Sequence, residues 1–279
     1  MQIWAHTLVK NESRWLWYSV ASVVNHVDKV LLWDTGSTDG TLEVINNLSR
    51  AFPNKILVEN KTINTPSDFT QVRQQMLDKT KADWFLMIDG DEIWWDEHIT
   101  KLVDFIQKNG SKYESVVVPT INLVGDVFHY QEDAAGMYNL AGKVGHYNLR
   151  AINTKISGLH SQGVHGVWGW ADESNKMIQE RDPEKIKFLD IPYMHATNLR
   201  RADLGANDAK VIKRKNKFRY ELGIEFPKDY FYPEVFFRKT VGGLVSPWGR
   251  IDNKFKIRAG FETPLRQVKR RLIKNKVGY

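Results

Sequence analysis

The chain has 279 residues and no cysteine, which excludes disulfides, a thiol nucleophile, cysteine-bound zinc and iron–sulfur clusters. No apolar run approaches the ~18 residues of a membrane span, and Trp84–Ile88 is among the longest. A charged segment followed by a long apolar core is also missing from the N-terminus, so we expect no signal peptide and a cytoplasmic protein. With 42% hydrophobic and 26% charged residues, the composition is that of a globular protein.

The net charge of +7 is unevenly distributed along the chain. Residues 1–199 hold 19 basic and 25 acidic side chains, whereas residues 200–279 hold 21 basic and 8 acidic ones. This asymmetry predicts a weakly acidic body, 1–199, followed by a basic, largely helical region, 200–279. A strongly basic region indicates an anionic partner.

Strand-like runs alternate with helical stripes through residues 1–120. The runs are Gln2–Val9, Lys29–Trp33, Lys55–Glu59, Trp84–Ile88 and Val116–Val118. Between them, Leu16 begins a helical stripe, Thr41–Phe52 is a second helix, Ser67 is expected to cap a third, and Gly110 ends a fourth. This alternation predicts an α/β fold with a Rossmann-like, mostly parallel sheet and helices on both faces.

The most informative motif is Asp89-Gly90-Asp91-Glu92, which follows the predicted strand Trp84–Ile88. Ligands bind at the carboxyl ends of the strands in such sheets, so both aspartates would face a ligand. Carboxylates in this position suit Mg²⁺ or Mn²⁺, which bind one or two carboxylates together with substrate phosphates. The alternative is a solvated acidic turn.

Asp34 ends the second predicted strand and is a candidate to bind a ribose or a base. An Asx-turn within Asp34–Ser37 is an equally good interpretation. Nucleotide motifs of other kinds are missing: no G-x-G-x-x-G or Walker loop opens the first or second helix. A metal ion and side chains would therefore have to hold any phosphates.

Three segments in order resemble family 2 glycosyltransferases with the GT-A fold: Thr7–Glu12, Trp33–Thr41 and Met87–Glu92. Ser67-Asp68-Phe69 with Arg73 resembles a further stretch of that family. Weaker similarities follow at Asn148–Arg150, Gly163–His165 and Tyr193–His195. The resemblance covers residues 1–110 well and implies a GT-A-like domain over 1–199, with a nucleotide-sugar half, 1–120, and an acceptor half, 121–199.

The resemblance also implies roles for individual residues. The nucleotide sugar would contact Thr7, Asn11, Glu12, Asp34, Asp68, Arg73, Asp89 and Gly90. The metal ligands would come from Asp89, Asp91, His195 and His165. The implied reaction is inverting, metal-dependent transfer of a sugar from a UDP- or GDP-sugar to a glycan, lipid-linked or protein acceptor.

Such a reaction needs a general base for the incoming hydroxyl. The family often carries an acid after its Val-His pair, but this chain has Gly166 there. The nearest carboxylates are Asp172 and Glu173, with Glu132 and Asp133 further away in sequence.

Two other functions stay open: a nucleotidyltransferase of related fold, and a non-catalytic protein that binds carbohydrate or nucleotide sugar. We expect no nucleic-acid partner, because no stacking motif accompanies the basic residues. Residues 264–279 predict a short basic amphipathic helix with Pro264 in its first turn. Such a helix is suited to an anionic membrane surface.

Overall fold

The computed structural model describes residues 1–164, 167–201 and 218–272. Strands and helices alternate through the first third of the chain, as the sequence predicts. They are β1 (Ile3–Val9), α1 (Leu16–Val23), β2 (Lys29–Asp34), α2 (Thr41–Ala51), β3 (Ile56–Asn60), α3 (Pro66–Lys79) and β4 (Trp84–Met87).

After β4 most elements are strands, and several of these are only two or three residues long. They are β5 (Glu92–Ile93), α4 (Asp96–Asn109), β6 (Ser115–Val124), β7 (Asp126–Tyr130), β8 (Tyr138–Leu140), β9 (Lys143–Gly145), β10 (Tyr147–Asn153), β11 (His160–Gln162), β12 (Gly169–Ala171), β13 (Ile186–Phe188), β14 (Tyr193–His195), β15 (Ile224–Glu225) and α5 (Asn253–Leu272). A 3₁₀ turn, Ile178–Glu180, follows β12.

The central sheet has the order β15-β7-β6-β10-β4-β1-β2-β3. Strands β4, β1, β2 and β3 are parallel, as predicted. The fifth predicted strand, β6, does not lie beside β4, because β10 pairs with both in the antiparallel direction. The sheet is therefore parallel on one side and mixed on the other.

Helices cover both faces of the parallel half, because successive side chains of a strand point to opposite faces. Ile3 and Ala5 of β1 pack with α1, whereas Trp4 packs with Val72 and Met76 of α3. All eight residues of α1 are buried. The α/β architecture predicted from the sequence is confirmed.

The described part of the C-terminal region packs on this body. β15 pairs with β7, and Phe226, Val235 and Phe236 belong to the same apolar core as β1. The helical pattern expected from Arg200 to Leu222 falls largely on residues 202–217, which lie outside the described residues. The division at residue 199 stays a prediction.

The predicted position of Pro264 in a first helical turn is wrong, because α5 begins eleven residues earlier, at Asn253, and contains Pro264 within it. Asp252 caps the true start by accepting a hydrogen bond from the backbone N–H of Phe255 at 2.7 Å. Phe255, Ala259 and Thr263 form the buried face of the helix. This packing stabilises the turns before the proline, which local sequence rules do not take into account.

The N-cap of α3 also differs from the predicted residue. Thr65, not Ser67, is the N-cap, and its hydroxyl accepts a hydrogen bond from the backbone N–H of Asp68 at 3.3 Å. The Asp68 carboxylate in turn accepts from the backbone N–H of Thr65 at 2.8 Å. The two residues form a capping box.

We predict that Thr65→Ala lowers the free energy of unfolding by about 1 kcal/mol, the usual value of a threonine cap. Urea unfolding followed by circular dichroism measures it. Ser67→Ala, two residues away, is the matched control and should change stability little. A larger loss in Ser67→Ala than in Thr65→Ala would contradict the assignment of the cap.

Candidate active site

A cavity of about 850 Å³ opens at the carboxyl ends of the parallel strands. Its floor contains residues that follow β1 and β4, among them Lys10, Glu12 and the Asp89–Asp91 segment. The volume lies within the range of small-ligand sites. Parallel α/β sheets bind ligands at this edge, so the position agrees with the sequence prediction.

Two arginines hold Asp89. Arg73 of α3 lies 3.4 Å from its Oδ1 atom, and Arg150 of β10 lies 3.4 Å from its Oδ2 atom. Burial alone would raise the pKa of Asp89, but the two guanidinium groups outweigh it and leave that pKa below its ordinary value. Asp89 is therefore a carboxylate at neutral pH.

Arg150 reaches the site because β10 is irregular at that position. In the pairing with β6, Leu149 faces Val117 and Ala151 faces Val116, so Arg150 is an extra, bulged residue. A β-bulge changes the direction of a side chain. Here it aligns Arg150 with two carboxylates, Asp89 and the fully buried Glu92.

Glu92 and Arg150 form a buried ion pair, to which the hydroxyl of Tyr193 also donates at 3.0 Å. Burial raises the pKa of Glu92 well above its ordinary value of 4.5, and Arg150 opposes this rise. Asn148 and Arg150 both donate to the Tyr193 oxygen. This network fixes the position of the Asp89–Asp91 turn.

The antiparallel pairing of β14 with β5 brings His195 beside Asp91. His195 is the partner of Glu92 in that ladder, and the backbone N–H of Ala196 donates to the Asp91 carbonyl at 2.8 Å. The His195 Nε2 atom lies 3.5 Å from Asp91 Oδ2. Burial lowers the pKa of His195 below its ordinary value although Asp91 opposes this, so the ring is neutral at pH 7.

Arg201 connects the two acidic segments of the floor. Its Nε lies 3.1 Å from Asp91 Oδ2, and its Nη1 lies 3.0 Å from Glu12 Oε1. Burial would lower the pKa of Arg201, but Asp91 and Glu12 raise it above its ordinary value. The carbonyl of Arg201 accepts from the backbone N–H of Arg14, which fixes the segment against the loop after β1.

The residues at Asp91 suit a divalent cation. A carboxylate and a neutral imidazole converge there, and Mn²⁺ or Mg²⁺ accepts few protein ligands when phosphate oxygens supply the rest. Within residues 1–164, 167–201 and 218–272, no three His, Asp or Glu side chains form a complete cage.

Arg73 lines the cavity next to two aromatic rings. The Arg73 guanidinium lies 5.4 Å from the ring of Phe69 and 5.1 Å from that of Trp168. Its Nε and Nη1 atoms are buried and have no hydrogen-bond partner in the described structure. A buried guanidinium with spare donors on a cavity wall is suited to an anionic ligand.

Gly90 is required by close packing. A Cβ atom at this position would lie 2.9 Å from Val9 Cγ1 and 3.1 Å from Glu12 Cγ. The turn between Asp89 and Asp91 therefore lies directly against the loop after β1.

The other residues predicted to contact the nucleotide do not line the cavity. Thr7 and Asn11 are buried, and Asn11 accepts from the backbone N–H of Thr38 at 2.7 Å. Asp34 accepts from the backbone N–H groups of Gly36 and Ser37, as the Asx-turn interpretation expects. Asp68 belongs to the capping box of α3. His165 lies outside the described residues.

The expected position of the general base needs correction. Neither Asp172 nor Glu173 lines the cavity. Ser174, the backbone N–H of Lys176 and Arg181 hold Asp172 and lower its pKa to about 2, which makes it a weak base. Glu173 accepts from Ser157 at 2.6 Å.

The two more distant acids are no closer to the site. Glu132 pairs with Arg270 at 3.1 Å, and Asp133 begins a 3₁₀ turn; neither lines the cavity.

Sequence reasoning assigned no role to Arg150 or Arg201. Arg150 stood within a motif that resembled the family, but only the bulge in β10 shows where its side chain lies. Arg201 is the second residue of a basic stretch in which no residue is distinctive by itself. Its contacts with Asp91 and Glu12 cross 110 and 189 positions of sequence.

Carboxylates and guanidinium groups at the carboxyl edge of a parallel sheet are typical of α/β proteins that bind phosphorylated ligands. Residues 6–169, more than half of the chain, match the model of glycosyl transferase family 2. The chain belongs to this family, which confirms the resemblance noted in the sequence.

Two curated relatives are the SPbeta prophage-derived glycosyltransferase SunS of Bacillus subtilis (strain 168) and the glycosyltransferase SunS of Bacillus phage SPbeta. Each is 26% identical over 143 residues, which cover 49% of this chain and 31% of the relative. The match thus spans less than a third of the length of these relatives.

The solved structures that are similar include S. aureus TarS 1-349 in complex with UDP-GlcNAc, with a TM-score of 0.46, 14% identity, and coverage of 70% of this chain and 58% of that one. A second is glucosyl-3-phosphoglycerate synthase from Mycobacterium tuberculosis in complex with Mn²⁺, UDP and glucosyl-3-phosphoglycerate, with a TM-score of 0.45, 14% identity, and coverage of 70% and 71%.

We predict that Arg150→Met lowers the free energy of unfolding by about 3–5 kcal/mol, because it leaves Glu92 buried without its cation. Folded Glu92 already binds its proton more tightly than a free glutamate, so protonation favours the folded state. The loss should therefore shrink as the pH falls toward 4.5, the ordinary pKa of glutamate.

Urea unfolding at several pH values measures this effect. Arg258→Met, which breaks an exposed pair with Glu262, is the control and should change stability little. A loss that is the same at every pH would contradict the role of the buried Glu92 carboxylate.

Proposed function

We propose that the protein transfers a sugar from a nucleoside-diphosphate sugar to an acceptor hydroxyl. The observation that carries the proposal is the meeting of Asp89 and Asp91 with three guanidinium groups in one cavity. Arg73, Arg150 and Arg201 come from three separate segments and all line it. A diphosphate would use both kinds of side chain. The guanidinium groups would donate N–H hydrogen bonds to it, and the carboxylates would hold a cation that binds it.

Residues 1–120 would bind the donor. Asp89, ionised at neutral pH, accepts a hydrogen bond from a ribose hydroxyl, and Arg73 directs its spare N–H donors to the phosphates. Glu12, Thr7, Asn11 and Asp34 would form the neighbouring nucleotide subsite. UDP and GDP are both candidate nucleotides, since no described side chain distinguishes the bases.

The residues 121–199 would form the acceptor half. The acceptor oxygen attacks the anomeric carbon from the face opposite the leaving group, which inverts its configuration. Negative charge develops on the leaving phosphate as the bond to the anomeric carbon breaks, and Arg73 and Arg201 stabilise it. A Mn²⁺ or Mg²⁺ ion held by Asp91 and His195 would supply Lewis-acid stabilisation of the same diphosphate.

A second candidate is a protein that binds nucleotide sugars without turning them over. Gly166, where an acid is expected, favours it. Incubation with a panel of UDP- and GDP-sugars and Mn²⁺ separates the two functions. Slow release of nucleotide without acceptor supports the transferase; binding without release supports the second candidate.

We predict that Asp91→Asn lowers the rate of nucleotide release by about 10²-fold or more, because charge stabilisation at the leaving group is lost. It should also abolish the tightening of UDP binding by Mn²⁺ in calorimetry. Asp104→Asn, on the exposed side of α4, is the matched control. A variant as active as the wild type, or a wild type unaffected by EDTA, would rule out the metal site.

We also propose that α5 contacts an anionic membrane surface, where a lipid-linked acceptor would be found. Ile257, Phe261, Leu265, Val268 and Leu272 form one stripe along the helix and are between 53% and 77% exposed. Glu262 is the single acid of α5, against seven Lys and Arg residues. An exposed apolar stripe on a basic helix is complementary to anionic lipid.

This stripe begins seven residues before the 264–279 segment proposed from the sequence, of which residues 264–272 are described. The described residues include no helix that is long and apolar enough to cross a membrane. Contact with lipid would therefore occur along the surface of α5.

We predict that the double variant Phe261→Glu/Leu265→Glu sediments with phosphatidylserine-containing liposomes at least about tenfold less than the wild type, since each buried apolar side chain contributes about 1.5 kcal/mol or more. Val144→Glu, exposed on β9, is the control. Equal sedimentation of variant and wild type at low salt would refute the proposal. So would a wild-type dimer that ignores liposomes and that the double variant converts to a monomer.

A further inference from the structure

Transfer to a hydroxyl leaves a proton that must be removed, and the sequence candidates for this role do not line the cavity. The required group is a carboxylate or a neutral histidine on the acceptor side, free to bind a proton. His195 lies beside Asp91, where it would hold the metal ion, and so it is not available as the base. The remaining candidates are the carboxylates of the cavity itself.

Four carboxylates line the cavity in the described structure: Glu12, Asp89, Asp91 and Glu180. The first three lie at the floor and contact guanidinium groups. A carboxylate held by a guanidinium is stabilised in its ionised form and is a poor proton acceptor. This leaves Glu180, whose carboxylate has no hydrogen bond or ion pair with any described side chain.

The position of Glu180 is set by the core. It ends the 3₁₀ turn Ile178–Glu180, and its backbone N–H donates to the carbonyl of Met177 at 2.9 Å. Ile178, 2% exposed, packs in a cluster with Phe85, Met87 and Trp170. A bridge from Met177 to Ala171 ties the turn to β12. An exposed carboxylate is thus placed on a rigid support.

The neighbours of Glu180 along the cavity belong to the acceptor half. Trp168, Gly169 and Trp170 precede it, and Gln179 lies beside it in the same turn. Aromatic rings present flat apolar surfaces on which sugars pack. Glu180 thus lines the same cavity as Trp168 and Trp170, against which an acceptor sugar would pack, and it stands in the segment that follows Gly166.

We propose that Glu180 is the general base of the transfer; this inference rests on the proposed function. Its carboxylate takes the proton of the acceptor hydroxyl as the oxygen forms a bond to the anomeric carbon. The bond from that carbon to the phosphate oxygen breaks, and its electron pair leaves with the nucleoside diphosphate. In the absence of acceptor, water takes the place of the hydroxyl and the donor is hydrolysed.

The test measures nucleotide release from the donor on which the wild type is active. We expect Glu180→Gln to lower the rate by about 10²–10⁴-fold. Its affinity for UDP, measured by calorimetry, should stay unchanged. The matched control is Glu184→Gln, an exposed residue four positions further along the chain.

Azide distinguishes a general base from a residue that is needed to bind the donor. It attacks the anomeric carbon without a proton to lose, so it should restore nucleotide release in Glu180→Gln and yield the glycosyl azide. A residue needed for donor binding would stay inactive with azide. Because Asp91→Asn acts on the leaving group, azide should not restore it.

The outcomes separate this inference from the proposed function. A wild type that turns over donor while Glu180→Gln is equally fast overturns the role of Glu180 alone. So does a loss of activity in Glu173→Gln or Asp172→Asn with Glu180→Gln unaffected, or a slow Glu180→Gln that azide fails to restore. A wild type that binds UDP but releases no nucleotide from any donor overturns both.

Discussion

The site depends on the pairing of carboxylates with guanidinium groups at one edge of the sheet. Glu12, Asp89, Asp91 and Glu92 lie so close together that their charges would repel strongly in a poorly solvated environment. Arg150 contacts Asp89 and Glu92, and Arg201 contacts Glu12 and Asp91. These contacts hold the Asp89–Asp91 turn in place and keep Asp89 ionised, as binding of a diphosphate or a cation requires.

The backbone brings these charges together by two irregular features. A bulge in β10 directs Arg150 toward the end of β4, and the two-residue strand β5 pairs with β14 so that His195 faces the Asp91 turn. Both features lie where the parallel half of the sheet meets the mixed half. The bulge and the short ladder therefore bring side chains of the mixed half against the Asp89–Asp91 turn, which follows the parallel strand β4.

Contacts with α3 hold the β11–β12 hairpin against the parallel half of the molecule. Thr70 donates to the carbonyl of Gly163 at 2.5 Å, and Gln74 accepts from the backbone N–H of Ser161 at 2.8 Å. The ring of Trp168, which lies in the same segment, is 5.1 Å from the Arg73 guanidinium. A change in the β11–β12 hairpin would thus alter the surroundings of Arg73 as well.

The sequence alone determined the parallel strands β1 to β4, the helices between them and the position of Asp89 and Asp91, because periodicity and strand ends are local properties. It also identified His195 through a motif. Tertiary structure decided the rest. That β10 would lie between β4 and β6, and that Arg150 and Arg201 would hold the acidic turn, depend on contacts between distant segments. No local pattern encodes such contacts, since each is set by register, bulges and burial in the folded chain.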